Sequence, residues 1–329
     1  MKAIVQDRYG AADVLEFRDV PVPVAGDDEV LIEVRAAAVN AYDWHIMRGD
    51  PKLARLVTPS VFGWRGPKRT VRGRDFAGLV AAVGRNVTEL APGDEVFGDL
   101  GNRDGAFAEY ARVPRGQVVR TAANLTFEQS AAIPLAANTA LMGLRDVAQV
   151  QSGQRVLVHG ASGGVGTFAV QLAKAFGAHV TGVCRTRNIG MVRTLGADHV
   201  VDHTREDFTT DRYDVVFDLV GNRSLRDLRR ALTPNGTLIL SGGGVFDGGS
   251  LVGPMGLMIR SQLTHPFVRQ RLVVLNEVTS RANLETLRDL AESGDLTPAV
   301  DRTYPLSEAA TAIRHVESGH SRAKVVVTM

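Results

Sequence analysis

The rhythm of apolar positions changes near residue 123. Before it, short alternating runs cut by Gly and Pro predict strands at Val30–Arg35, Ala77–Val83, Asp94–Gly98 and Ala106–Val113. After it, apolar strands alternate with amphipathic stretches. Thr126 and Gln129 stand at capping-box spacing, Pro134 suits a first helical turn, and helical periodicity runs on towards Val150. Strands are then predicted at 156–159, 179–184, 199–202, 213–218, 237–241 and 271–276, with helices at 164–176, 189–195 and 224–232 between them. Such alternation predicts an α/β, doubly wound, six-stranded parallel sheet covered on both faces. Two further helical stretches, 282–293 and 307–317, lead to an apolar strand, Lys324–Thr328, that has no place in this sheet. That tail is expected to return to the β-rich N-terminal part. The domains expected are 1–122 and 278–329 together, and 123–277.

The junction of the first predicted strand and helix reads His159-Gly-Ala-Ser-Gly-Gly-Val-Gly166. Glycines let the backbone turn tightly and approach a phosphate, and the helix start offers free N–H groups and a positive dipole end. Gly160, Ser162, Gly163, Gly164 and Val165 are therefore candidates to hold a dinucleotide pyrophosphate. A bare turn with no ligand is the plain alternative.

The next strand ends on Cys184 where an NAD-binding fold would place an acidic residue. Arg185-Thr186-Arg187 follows, and two arginines attract a 2′-phosphate that a carboxylate would repel. NADPH is the expected cofactor. Both arginines pointing to solvent is the alternative.

Composition narrows the remaining possibilities. The chain has 329 residues, 44% of them hydrophobic, a formal net charge of +2 and one cysteine, Cys184. The slight basic excess does not call for nucleic acid, and a lone cysteine excludes an internal disulfide and fits a reducing compartment. The N-terminus has no apolar stretch of signal length, and the apolar run at Leu251–Ile259 is too short to span a membrane. A soluble cytoplasmic protein is expected.

Several motifs together resemble the medium-chain dehydrogenase/reductase superfamily, and within it the zinc-free quinone oxidoreductase branch that includes ζ-crystallin. They are Val39-Asn-Ala-Tyr-Asp43, Gly73-Arg-Asp-Phe-Ala-Gly78, Pro92-Gly-Asp-Glu-Val-Phe-Gly98, Gly105-Ala-Phe-Ala-Glu-Tyr110, the glycine turn and Phe217-Asp-Leu-Val-Gly221. The resemblance implies a GroES-like catalytic domain built from both chain ends, a Rossmann domain, and a nicotinamide in the cleft between them. Zinc-dependent relatives carry a Cys where Asn40 stands and a His-Glu pair where Arg74-Asp75 stands, so no metal is expected. His199 and His203 lie on a strand and its exit, roughly 13 Å apart at 3.3 Å per residue, too far to share one ion. Without a Lewis acid, quinones and conjugated enones or enals are the easier acceptors, because their negative charge is delocalised. An NADPH-dependent quinone oxidoreductase or enone reductase is therefore expected. An enoyl thioester reductase and an NADPH-regulated RNA-binding protein are the alternatives.

The resemblance places Asn40 near the nicotinamide ribose, with Tyr42 and Asp43 beside it as catalytic candidates. A turn-forming Asn, a packing aromatic and a helix-capping carboxylate are the alternatives. Thr139 is placed at the nicotinamide, or else bonds its own helix backbone. His203 stands where relatives often have a tyrosine near the adenosine phosphate. Val220, Gly221, Ser241 and Gly242 (with Gly243) end two strands at the ligand side of the sheet, and Lys324 either reaches the cofactor or is solvated. The segment 48–72 carries Arg55, Arg65, Lys68, Arg69 and Arg72 among Phe62 and Trp64. It reads as a solvated lid or, alternatively, a nucleic-acid surface. Finally, the uncharged run Leu272–Leu275 at a sheet edge predicts a homodimer through edge pairing.

Overall fold

The computed structural model describes all residues except 59, 60, 64, 65, 243–248, 250, 251 and 254. The six nucleotide-side strands are Arg155–His159, His179–Cys184, His199–Asp202, Tyr213–Asp218, Leu232–Leu240 and Arg271–Val274. All pair in parallel. Numbered along the chain, they lie in the order 3-2-1-4-5-6. The order reverses beside Arg155–His159, and a ligand crevice opens at that point, beyond the carboxyl ends of the strands. The central strands are buried on both faces, which is why Val156-Leu-Val158 and Val215-Val-Phe217 are unbroken apolar runs.

The second sheet is mixed. Its order is Val300–Pro305, Lys324–Thr328, Glu29–Val39, Asp75–Val83, Glu95–Asp99 and Val118–Arg120, with Tyr110–Pro114 also on Glu29–Val39. Lys324–Thr328 pairs antiparallel with Glu29–Val39 through Val325↔Val39, so the chain end does return to the N-terminal sheet. It carries Lys324 to within reach of Asn40.

Some elements differ from the sequence expectation. Strands Lys2–Gln6, Leu15–Asp19 and Val118–Arg120 were hidden by their shortness. Of the run Ala106–Val113, only Tyr110 onward joins the ladder. Residues 106 and 107 instead bond Gly73, Arg72 and Ile4. The helix beginning at Pro134 stays α-helical only to Leu141, and a wider π-turn follows over Met142–Val147. Thr126 and Gln129 form the expected capping box. Its helix and Pro134–Leu141 lie between the two sheets, their alanines packed on Ala36, Ala38, Ala77 and Phe97 of one side and Val156, Val158 and Phe217 of the other.

Candidate active site

The glycine turn has the shape a phosphate requires. Gly160 has φ +91°, and a Cβ there would meet Val220 Cγ2 at 2.8 Å. A Cβ on Gly166 would sit 2.1 Å from the Gly160 carbonyl oxygen, so only glycine lets this helix start so close to the strand. Gly163 is the N-cap of helix Gly164–Ala175 and has no side chain to cap it. The first-turn N–H groups of that helix face the crevice with the dipole behind them. These observations fit a pyrophosphate. The rest of the turn is fixed in place: Asn188 Nδ2 donates to Ser162 Oγ at 2.9 Å, and Ala323 N donates to the Ser162 carbonyl at 2.8 Å. Val165 packs into the core beneath the turn.

Asp218 organises the neighbouring strand end. Its Oδ1 accepts from Val220 N, Gly221 N and the His159 ring, at 3.1, 3.2 and 2.8 Å. Ser241 N donates to the Asp218 carbonyl, and Gly242 follows at φ +67°. Gly243 lies outside the described residues. Arg185 and Arg187 are exposed at the end of the second strand, and Arg187 Nη2 donates to the His320 carbonyl at 2.9 Å. His203 lies behind them. Partial burial, followed by the charge of Arg185, holds its imidazole pKa below the ordinary value. Asp202, which sequence reasoning passed over, lies below the arginines with its carboxylate committed to the hydroxyls of Thr186 and Thr204.

Asn40, Asp43, Asp75 and Lys324 form one buried cluster. Asn40 is the N-cap of helix Ala41–Arg48, and its backbone N–H donates to Asp43 Oδ2 at 2.7 Å. The capping role thus claims half of the Asp43 carboxylate. The Asn40 amide is engaged throughout: Nδ2 donates to Asp75 Oδ2 at 3.0 Å and to the Ala38 carbonyl at 3.4 Å, and Oδ1 accepts from Lys324 Nζ at 2.5 Å. It therefore has no spare donor for a substrate oxygen. Lys324 is 2% exposed, which rules out the solvated reading, and its Nζ lies 3.7 Å from Asp75 Oδ2. Where the resemblance put metal ligands, at positions 40, 74 and 75, the chain places an amide, a guanidinium and a carboxylate. Among the described residues, no three His, Cys, Asp or Glu side chains are grouped to hold a metal. Thr139 is buried, and its hydroxyl donates to the Leu135 carbonyl at 2.7 Å, as a helical threonine commonly does.

A second polar chain joins the two sheets. Arg74 donates twice to Asp99 and once to Glu277, at 2.9, 2.5 and 3.2 Å. Glu277 also accepts from Asn138 Nδ2, whose own oxygen accepts from Asn283. The Arg74 guanidinium lies 4.8 Å from the centre of the Tyr42 ring. The buried Tyr42 hydroxyl has no partner among the described residues, and burial raises its pKa. The ring packs with Ile46, Ala54, Phe62 and Met255 in an apolar wall.

Arg72 completes the charged interior. It is 1% exposed and bonds Asp104 at 2.9 Å. Around these groups the carboxylates of Asp43, Asp75, Asp99, Asp104 and Glu277 outnumber the cations Arg72, Arg74 and Lys324. Burial accordingly pushes two of them, Asp75 and Asp104, up to about 7, against the opposing pull of Lys324 and Arg72 respectively. In the sequence these groups stand at strand ends, Asp75 opening Asp75–Val83 and Asp99 closing Glu95–Asp99, and nothing local ties them to one another. The burial of Arg72 removes that residue from the reading of segment 48–72 as a solvated or nucleic-acid-binding stretch, while Lys68 and Arg69 are exposed. Arg55 likewise turns inward to the carbonyls of Gly49 and Arg48, 4.2 Å from the Tyr9 ring, while Trp64 and Arg65 lie outside the described residues.

Comparison with known proteins agrees with this geometry. Residues 26–123 match the alcohol dehydrogenase GroES-like domain family, and residues 195–327 match a family described as zinc-binding dehydrogenase. The chain is 35% identical to the NADPH-dependent alkenal/one oxidoreductase, chloroplastic, of Arabidopsis thaliana, covering 99% of this chain and 79% of that protein. It is 32% identical to the quinone-oxidoreductase homolog, chloroplastic, of Spinacia oleracea, over 99% and 98% of the two. The solved quinone oxidoreductase of Coxiella burnetii superposes with a TM-score of 0.86 at 28% identity, covering 100% of this chain and 99% of that one. No helix among the described residues is long and apolar enough to cross a membrane. With a doubly wound sheet, a phosphate-shaped turn and a GroES-like partner, the chain belongs to the medium-chain dehydrogenase/reductase superfamily, in its quinone oxidoreductase branch, and is an oxidoreductase that uses a nicotinamide cofactor.

Proposed function

We propose that the protein reduces a conjugated acceptor, a quinone or an α,β-unsaturated carbonyl, with NADPH and without a metal. The observation that carries this reading is the unpartnered Tyr42 hydroxyl. It lies in an apolar wall beside a cluster whose cations are side chains. The names of the alkenal/one and quinone relatives support it. Bound with its pyrophosphate at Gly160–Val165, the cofactor supplies a hydride. The chain's own contribution is orientation and dryness. Asn40, with both ends of its amide held, is a fixed part of the wall, and Ile46, Ala54, Phe62 and Met255 exclude water from an apolar acceptor. Tyr42 is the free hydroxyl that can bond the acceptor oxygen as negative charge reaches it. Arg185 and Arg187 favour the 2′-phosphate, with Arg187 leaving or sharing the His320 carbonyl.

The test is NADPH oxidation with quinones, enals, enones and enoyl thioesters, in wild type and Tyr42→Phe. If Tyr42 bonds the acceptor, Phe should lower kcat about tenfold, roughly 1.4 kcal/mol of barrier, with folding intact. A protein that binds NADPH but oxidises it with none of these acceptors would refute the proposal.

The same reading includes a homodimer. Arg271–Val274 is the edge strand of its sheet, and Phe267, 87% exposed, stands beside it with Leu263 of the preceding helix. Light scattering at micromolar concentration should give twice the chain mass, and a monomer would count against it.

A further inference from the structure

Lys324 touches both halves of the site at once. Its Cδ lies 3.2 Å from where a Cβ of Gly164 would be, so its stem crosses the first turn of the phosphate helix. Its ammonium reaches Asn40 and the Val39 carbonyl on the other side of the cleft. The residue before it, Ala323, is held at φ +58°, a conformation that a side chain with a Cβ resists. The bond from Ala323 N to the Ser162 carbonyl holds that strained residue against the turn. Behind the Asn40 amide that the ammonium bonds stands Asp75. Its Oδ2 faces the ammonium and accepts from the Asn40 amide, while its Oδ1 accepts from Leu135 N at 3.2 Å, in the first turn of the helix that bears Thr139. One fully buried carboxylate thus ties together Asn40, Lys324 and that helix.

We propose that Asp75 is a positioning residue for the reaction: through Lys324 and Asn40 it sets where the nicotinamide half of the cofactor lies relative to the phosphate turn. This rests on the proposed function and assigns a role to a residue that touches neither cofactor nor acceptor. The phosphate end is held by backbone that Asp75 does not contact. The groups next along the crevice, Lys324 and Asn40, are both oriented by it. Removing the carboxylate should therefore leave recognition of the adenosine half intact and loosen the other half.

The experiment compares equilibrium binding of NADPH with that of 2′,5′-ADP, which lacks the nicotinamide half, in wild type, Asp75→Asn, Lys324→Met and the double variant. Each single variant should weaken NADPH about tenfold, and the double should be no weaker than either, because two groups that act as one unit do not add. Affinity for 2′,5′-ADP should stay within about twofold, since the phosphate turn is untouched. Effects that multiply, equal losses for both ligands, or unchanged NADPH binding in Asp75→Asn would each overturn the role. A single variant that fails to fold still leaves the double, in which neither charge is orphaned, to be compared with wild type. The titrations need no acceptor. A wild type that binds NADPH without turnover therefore refutes the proposed function alone, whereas normal turnover with unchanged affinities refutes the role of Asp75 alone.

Discussion

The phosphate turn and the charged cluster are two solutions to holding a ligand, and they are built from opposite materials. The turn is local: seven consecutive residues, Gly160–Gly166, make it from backbone, and its requirement is space. The cluster is assembled from Asn40, Asp43, Arg72, Arg74, Asp75, Asp99, Asp104, Glu277 and Lys324, side chains drawn from almost the whole length of the chain. Its requirement is charge balance in a dry interior. A local device fails by steric clash, whereas a distributed one fails when a partner is lost. The two regions should therefore respond to different substitutions.

The largest effect should come from Arg74→Leu. It would leave Asp99, with its side chain wholly inaccessible, and Glu277 without their cation. Removing one partner of a buried ion pair costs about 3–5 kcal/mol, because the remaining charge stays desolvated. Denaturant unfolding should show that loss. A change below roughly 1 kcal/mol, the range of a surface pair, would mean that the network is wetter than its burial suggests.

Next in size is Gly166→Ala. With backbone 2.1 Å away, the helix must shift off the strand. A stability loss of about 1–3 kcal/mol is expected for such overpacking, together with impaired NADPH binding. Gly153, whose Cβ would meet nothing within 4 Å, offers the contrast, although its own φ of +82° strains any substitution. Its alanine variant should be destabilised without losing cofactor affinity beyond that. Equal cofactor defects in the two would deny the turn its special role.

The same contrast explains what the sequence made legible. The turn could be read because its meaning lies in neighbouring residues: an apolar strand, glycines at fixed spacing, then an amphipathic helix. The parallel strands were readable for the same reason. The cluster was not, because Asp99 and Glu277 are ordinary acidic residues until the fold brings them to Arg74. Lys324 could be read as solvated until its strand was seen to pair beside Asn40. Asn40 itself was expected as a catalytic candidate near the nicotinamide ribose, and its amide is engaged within the protein. Nothing in its local sequence pointed to Asp75 and Lys324 as the partners. Arg72 was assigned to a surface segment because neighbouring basic residues suggested a stripe, while its bond to Asp104 lies 32 positions away in sequence.

A smaller effect tests the adenosine end, where exposed side chains replace backbone. Arg185→Ala combined with Arg187→Ala should weaken NADPH by about 1.5–3 kcal/mol, the worth of charged hydrogen bonds, and leave NADH unchanged. Isothermal titration of both cofactors decides it. Equal affinity of the wild type for NADH and NADPH would remove the basis for this preference.

The smallest effect is a pH dependence dominated by the cluster. Asp75 and Asp104 have pKa values pushed up to about 7 from an ordinary 3.8, with burial the leading cause in both. Between those values the folded chain binds more protons than the unfolded one, so stability falls as pH rises through this window and levels off above it. Asp99, whose pKa is lowered by Arg74 despite its burial, acts in the opposite sense but only at more acidic pH. His203, lowered chiefly by partial burial, opposes the trend weakly below its ordinary value of 6.5. The melting temperature should therefore drop between pH 5.5 and 8.5. Asp104→Asn should flatten part of that drop. An amide keeps an acceptor for Arg72, needs no proton to be neutral, and has the shape of the aspartate that already adopts this backbone, φ +52° and ψ 178°. At pH 5.5 the variant should melt close to wild type, and at pH 8.5 at or above it. A wild type whose stability rises steadily across this range would show that the excess carboxylates are neutralised by something other than protons.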